Sequence, residues 1–116
     1  MNKKIGNVLK ELGLPVFYIQ PGNSTEKEYI VFNYSIYPGY YADNKQKSDK
    51  YTILINLYCS KSVNLYINKI TDCMLKADFV LNAIASTQIE RMQDGSVIYN
   101  TAFIFKIIKE REWLNE

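Results

Sequence analysis

Three stretches of this chain alternate between apolar and polar residues with a period of two, the side-chain period of a β-strand. Residues 50–58, Lys-Tyr-Thr-Ile-Leu-Ile-Asn-Leu-Tyr, put Tyr51, Ile53, Ile55 and Leu57 on one unbroken apolar face and Thr52 and Asn56 on the other. Residues 28–37 are rich in β-branched and aromatic residues, which suit a pleated, half-buried surface. They turn Ile30, Phe32, Tyr34 and Ile36 one way and Tyr29, Val31, Asn33 and Ser35 the other. Residues 97–109 do the same, with Val97, Tyr99, Phe103, Phe105 and Ile107 aligned. Strands of this kind belong to a sheet with one face on a helix layer and the other more open.

The helices that supply such a layer are legible too. Ile5, Val8, Leu9 and Leu12 fall at i, i+3, i+4, i+7, one apolar stripe of a helix over 3–13, and Gly13-Leu14-Pro15 stops it. Val63, Tyr66, Ile67, Ile70, Met74 and Ala77 mark a second helix to about residue 77. Ser60-Lys61-Ser62 offers its N-cap, and Asp72 is spaced to pair with Lys69 and Lys76 on the solvent side.

Val16–Ile19 is a short strand closed by the turn cluster Pro21-Gly22-Asn23-Ser24. Pro38-Gly39 ends the 28–37 strand, and residues 40–49 form a long polar loop. A strand over 79–92 leads through Gln93-Asp94-Gly95-Ser96, where Asp-Gly suits a tight turn, into 97–109. The order is α-β-β-β-α-β-β. The expected fold is α+β: an antiparallel-rich, mixed sheet with two helices packed on one face. At 116 residues the chain is expected to form a single domain, 1–116, with one core of its own.

Composition removes whole classes of chemistry. There is no histidine, so Ser-His-Asp and Cys-His mechanisms and histidine-based zinc sites are excluded in cis. The five glycines are scattered, with no phosphate-binding GxGxxG or GxxxxGK[ST] pattern. Cys59 and Cys73 lack CxxC spacing and read as reduced, buried thiols. Asp43, Asp49 and Asp94 sit in loops and turns, where aspartate serves backbone geometry, and no DxD or ExxE pattern pairs carboxylates on one face. No enzyme activity, cofactor or metal is expected.

The net charge of +2 is too small to mark a nucleic-acid binder. Phe103-Ile104-Phe105-Lys106 lacks the glycines and basic start of an RNA-binding sheet motif. No run reaches the roughly 18 apolar residues of a membrane span, and Asn7, Lys10 and Glu11 break any signal-peptide pattern at the start.

The excess lies in tyrosine, with ten in the chain. Tyr34, Tyr37, Tyr40 and Tyr41 crowd the end of one strand and its loop. Tyrosine is enriched at the centres of protein interfaces, but rings so placed also suit the capping of a sheet edge. Trp113, with Leu114 in a charged tail, is a second candidate anchor for a partner.

Several segments carry a family resemblance. They are Leu12-Gly13-Leu14-Pro15-Val16-Phe17-Tyr18, Tyr29-Ile30-Val31-Phe32-Asn33, Pro38-Gly39-Tyr40-Tyr41-Ala42-Asp43-Asn44 and Tyr51-Thr52-Ile53-Leu54-Ile55-Asn56-Leu57-Tyr58. In this order they resemble the tail-completion proteins of long-tailed bacteriophages, also called tail terminator or tail-to-head joining proteins. The likeness is strongest over 12–58, and from Phe79 onward it rests on strand pattern alone.

The resemblance implies a homohexameric ring that caps the last ring of tail-tube subunits and docks to the head connector. DNA passes through the lumen of such a ring without being read. The location implied is the virion tail, reached from the bacterial host cytoplasm during assembly. A prophage, a defective tail or a tailed bacteriocin fits equally. The loop at 38–50 and the exposed strand edges would then carry the contacts. Together with the tail tryptophan, the expected interface residues are Tyr37, Tyr40, Tyr41, Asp43, Lys45, Lys47, Asp49 and Trp113. The alternative reading is a small cytoplasmic protein-binding module unrelated to phage.

Overall fold

Alternation in the three long strands leaves each with a face that has to leave water, and those faces share one core. A computed structural model of the chain describes residues 1–20, 27–39, 41–42 and 45–110. Helix α1 spans Asn2–Leu9 and tightens into a 3-10 turn, Lys10–Leu12. It ends at Gly13, whose φ of 80° is the left-handed cap that glycine adopts without strain.

The strands are β1 (Val16–Tyr18), β2 (Tyr29–Pro38), β3 (Tyr41–Ala42), β4 (Lys45–Gln46) and β5 (Ser48–Cys59). Helix α2 (Val63–Lys76) follows, then β6 (Val80–Ile84), β7 (Gln88–Arg91) and β8 (Val97–Glu110). The main sheet runs β1-β2-β5-β8-β6, with β7 also pairing with β8. β1 is parallel to β2 and every other pair is antiparallel. The fold is the expected α+β arrangement, a mixed sheet with both helices on one face.

The core joins that face to the helices. Ile30 and Phe32 of β2, Ile53, Ile55, Leu57 and Cys59 of β5, and Phe103, Phe105 and Ile107 of β8 pack with Ile5 and Leu9 of α1 and Ile70 and Met74 of α2. Phe79 closes the group from the turn after α2. These are the faces that the alternation picks out.

Four local expectations are corrected. The 79–92 run is two strands rather than one: Ala85 still donates its amide to the Ala102 carbonyl, but Ser86 and Thr87 leave the ladder before β7 begins at Gln88. Thr87 turns its hydroxyl onto that of Thr101, 2.7 Å away. The 40–49 segment is not wholly loop: β3 and β4 pair as a small two-stranded hairpin, and β5 begins at Ser48.

Ser62 occupies the N-cap of α2 but with φ of 60°, and its side chain makes no cap hydrogen bond. Asp72 forms no ion pair with Lys69 or Lys76, since the one within 4 Å among the described residues is Lys27–Asp94 at 3.9 Å. The turn residues Pro21–Ser24 lie outside the described residues. In the second turn, Gly95 takes φ of 88°, and Asp94 accepts hydrogen bonds from the Ser96 amide at 2.9 Å and hydroxyl at 2.6 Å.

Candidate interaction surface

Both helices lie on one side of the sheet, so among the described residues no helix covers the other side, although Val31 and Ile98 on it are buried. Cross-strand register fixes what it presents. One row runs Tyr29, Tyr58, Asn100 and Gln88 across β2, β5, β8 and β7. A second row runs Val31, Asn56 and Ala102. A third runs Asn33, Leu54, Ile104 and Ala83.

Tyr29 and Tyr58 stack with ring centroids 4.7 Å apart, and Phe17 of β1 meets Tyr29 edge-on at 6.2 Å. Burial pushes both hydroxyls above the usual tyrosine value. The negative charge of nearby Glu90 adds to the effect on both, and Tyr58 adds to that on Tyr29. Asn100 Oδ1 is buried here with no hydrogen-bond partner among the described residues. The surface is thus aromatic and amide-rich, with few charges.

The same strands run well past the helix layer. The molecule measures 59 × 26 × 22 Å, long along the strands. At its far end Ile36 pairs with Tyr51 and Ile107, Tyr37 with Lys50 and Ile108, and Pro38 with Asp49 and Lys109. Ile36, Tyr37, Tyr41 and Ile108 are all more than half exposed there.

The chain closes this end tightly. Gly39 donates its amide to the Ser48 carbonyl at 2.9 Å, and a Cβ on Gly39 would overlap the Ser48 hydroxyl. Gln46 Nε2 donates to the Ser48 carbonyl at 3.0 Å and to Asp49 Oδ1 at 2.6 Å, tying β4 to the start of β5.

Five of the expected interface residues, Tyr37, Tyr41, Lys45, Lys47 and Asp49, fall around this end. Tyr37 lies on the uncovered face beside Lys50. Tyr41 and Lys45 are exposed on the β3–β4 hairpin, while Lys47 and Asp49 are half-buried. Tyr40, Asp43 and Trp113 lie outside the described residues, as does Leu114. Tyr34, counted in the same tyrosine cluster, faces the helix side. It stacks on Tyr18 at 5.8 Å and packs against Tyr51 at 5.8 Å, which continues the core as an aromatic row.

Sequence reasoning missed the opposite margin of this end. Lys50, Asp78, Val80, Lys106, Ile107, Ile108 and Lys109 line a shallow groove where β6 begins. The signal lay in the register, which sets Val80, the first residue of β6, opposite Lys106.

Among the described residues, no group of three or more Cys, Asp or Glu side chains converges to hold a metal ion. Cys59 and Cys73 are free. Burial chiefly pushes both thiols up, helped by Glu28 at Cys59 and by Glu11 at Cys73, so little reactive thiolate forms near neutrality. No described helix is long and apolar enough to cross a membrane.

No family model matches the chain, and no curated protein matches it. Solved structures do. A chain from the virion of a native gene transfer agent particle matches with a TM-score of 0.53 at 12% identity, over 95% of this chain and 91% of that one. A second solved chain matches with a TM-score of 0.53 at 11% identity, over 97% and 91%. At such identities the likeness is one of fold, and it takes in nearly the whole of each chain.

Proposed function

We propose that this chain is a structural subunit of a phage-like particle, working as a tail-completion protein. It closes a homohexameric ring over the last ring of tail-tube subunits and offers the head connector a docking surface. The observation that carries this reading is the fold shared, over 95% of the chain, with a component of a gene transfer agent virion, a phage-like particle. The resemblance of residues 12–58 to tail-completion proteins points independently the same way.

The work is assembly, not catalysis. A ring needs head-to-tail contacts, in which one patch meets a different patch on the next copy and the rotation closes. Two unlike patches are available. One is the far end with Tyr37 and Tyr41, and the other is the β6–β7 margin with exposed Ile84 and Ile89. On this reading the chain sits in the virion tail, after assembly in the cytoplasm of a bacterial host.

Light scattering over a concentration series, paired with negative-stain images, tests the ring. The expected result is association toward six copies, or ring-shaped particles when tail tubes are supplied. A chain that stays monomeric at high concentration and does not bind tubes would contradict it.

A further inference from the structure

The outer side of β8 is only partly covered. β7 pairs with Val97–Asn100, and β6 pairs with Phe103–Lys106, its first residue Val80 lying opposite Lys106. Asp78, at φ of 72°, lies in the turn between α2 and β6, before that first pairing. No described residue continues the ladder on that side, so Ile107–Glu110 form an open edge while β5 still pairs along their inner side.

The direction of the backbone groups can be read. The Ala85 amide donates to the Ala102 carbonyl at 2.9 Å, so Ala102 turns its backbone groups outward. β5 pairs with β8 in unbroken register, and backbone groups alternate sides along a strand, so Ile108 and Glu110 also present theirs outward. Unpaired strand edges of this kind are templates for an added strand.

The side chains around the edge state what kind of strand fits. The groove there is lined by Lys50, Lys106 and Lys109 against one acid, Asp78, over an apolar floor of Val80, Ile107 and Ile108, and Glu110 adds a second acid at the end of the edge, so that with Lys4 four lysines face two acids. Val80 and Ile108 are 63% and 60% exposed. Lys4 reaches the same place, its Nζ lying 5.1 Å from the centre of the Phe79 ring. Its ammonium is held below the usual lysine value, first by the close approach of the Lys109 side chain, then by burial and the Lys109 charge, with Asp78 opposing. Two ammonium groups that crowd each other are relieved by an anion between them.

We propose that the open edge of β8 at Ile107–Glu110 is a strand-addition site for an acidic, extended segment of another polypeptide. The added strand occupies the lane of β6 beyond Val80 and pairs with the outward groups of Ile108 and Glu110. Its alternating side chains meet Lys50 and Lys106 on the uncovered face and Lys4 and Lys109 on the helix face. This site does not depend on the assembly reading above.

The test uses the full chain, isotope-labelled for NMR, with two blocked peptides as probes. One is a seven-residue peptide alternating Glu and Val; the other carries Lys in place of Glu. The Glu peptide should shift the Ile108 and Glu110 amides and slow their hydrogen exchange, while the Lys peptide leaves them unchanged.

Ile108→Pro removes an outward donor without breaking the β5 ladder, and it should weaken binding roughly tenfold. Lys50→Glu with Lys106→Glu should weaken it by a similar factor, which keeps the test open if the proline variant fails to fold. The proposal is overturned if both peptides act alike, if neither shifts these amides at millimolar concentration, or if the shifts fall on β1 or β7. It is also overturned if these amides shift with protein concentration alone, since a second copy then fills the edge.

Discussion

Asp94 shows how much one side chain sets locally. Its carboxylate accepts from the Ser96 hydroxyl and amide, and the Ser96 hydroxyl chiefly holds it below the usual aspartate value, with the Ser96 amide next. Its folded value is depressed. The stabilisation it gives the turn is therefore complete above the unfolded aspartate value and is lost as pH falls through the folded one. A carbon-detected NMR titration should place the Asp94 midpoint below that of an aspartate in an unstructured peptide. A midpoint at or above the peptide value would break the link between this hydrogen bonding and the turn.

Gly39 is the tighter constraint, because any side chain there meets the Ser48 hydroxyl. Gly39→Ala should cost about 1–3 kcal/mol in denaturant unfolding, the usual range for an overpacked site. A neutral result would mean the end of the β2–β5 hairpin gives way easily. Pro38-Gly39 was readable in the sequence as the end of a strand. The clash with Ser48 was not, because a residue nine positions away enters through pairing rather than local preference. Ile19 was equally hidden: a β-branched residue at φ of 74° runs against its own propensity and is held by its amide bond to the Phe32 carbonyl at 2.8 Å.

Elements whose two faces differ were the most legible. In β5, Ile53, Ile55 and Leu57 are fully buried, as the alternation requires, and the strand differs from expectation only by its extra residues at each end. Ile55→Ala should leave a cavity between the sheet and the helices, lowering stability by about 2–5 kcal/mol in chemical denaturation with the m-value unchanged. A loss well under 1 kcal/mol would argue against the core described here.

Elements with two similar faces were less legible. The 79–92 run has exposed residues on both sides through β6 and β7, so no burial pattern marked the break at Ser86 and Thr87. The β3–β4 hairpin is too short for a period to show. The candidate surface divides in the same way. Local crowding of tyrosines pointed to the far end, and the alternation already set Tyr34 on the face of Ile30 and Phe32, where it joins the aromatic row on the core, while the exposure of Tyr37 and Tyr41 needed the structure.

For the whole molecule, the sheet extends beyond its helices and leaves apolar and aromatic groups exposed at one end. Exposed groups of this kind mark contact surfaces more often than they stabilise a monomer. Tyr37→Ala with Tyr41→Ala should therefore leave the thermal unfolding midpoint almost unchanged while weakening association, read by light scattering against the parent chain. A large drop in the midpoint with association intact would assign those rings to the fold instead.

The ring itself is tested most directly by electron microscopy of tail tubes assembled with and without the purified chain. With it, tubes should stop at a uniform length and end in a cap whose mass is six times the 13.5 kDa of one chain. Tubes that grow on unchanged and carry no cap would contradict a tail-completion role.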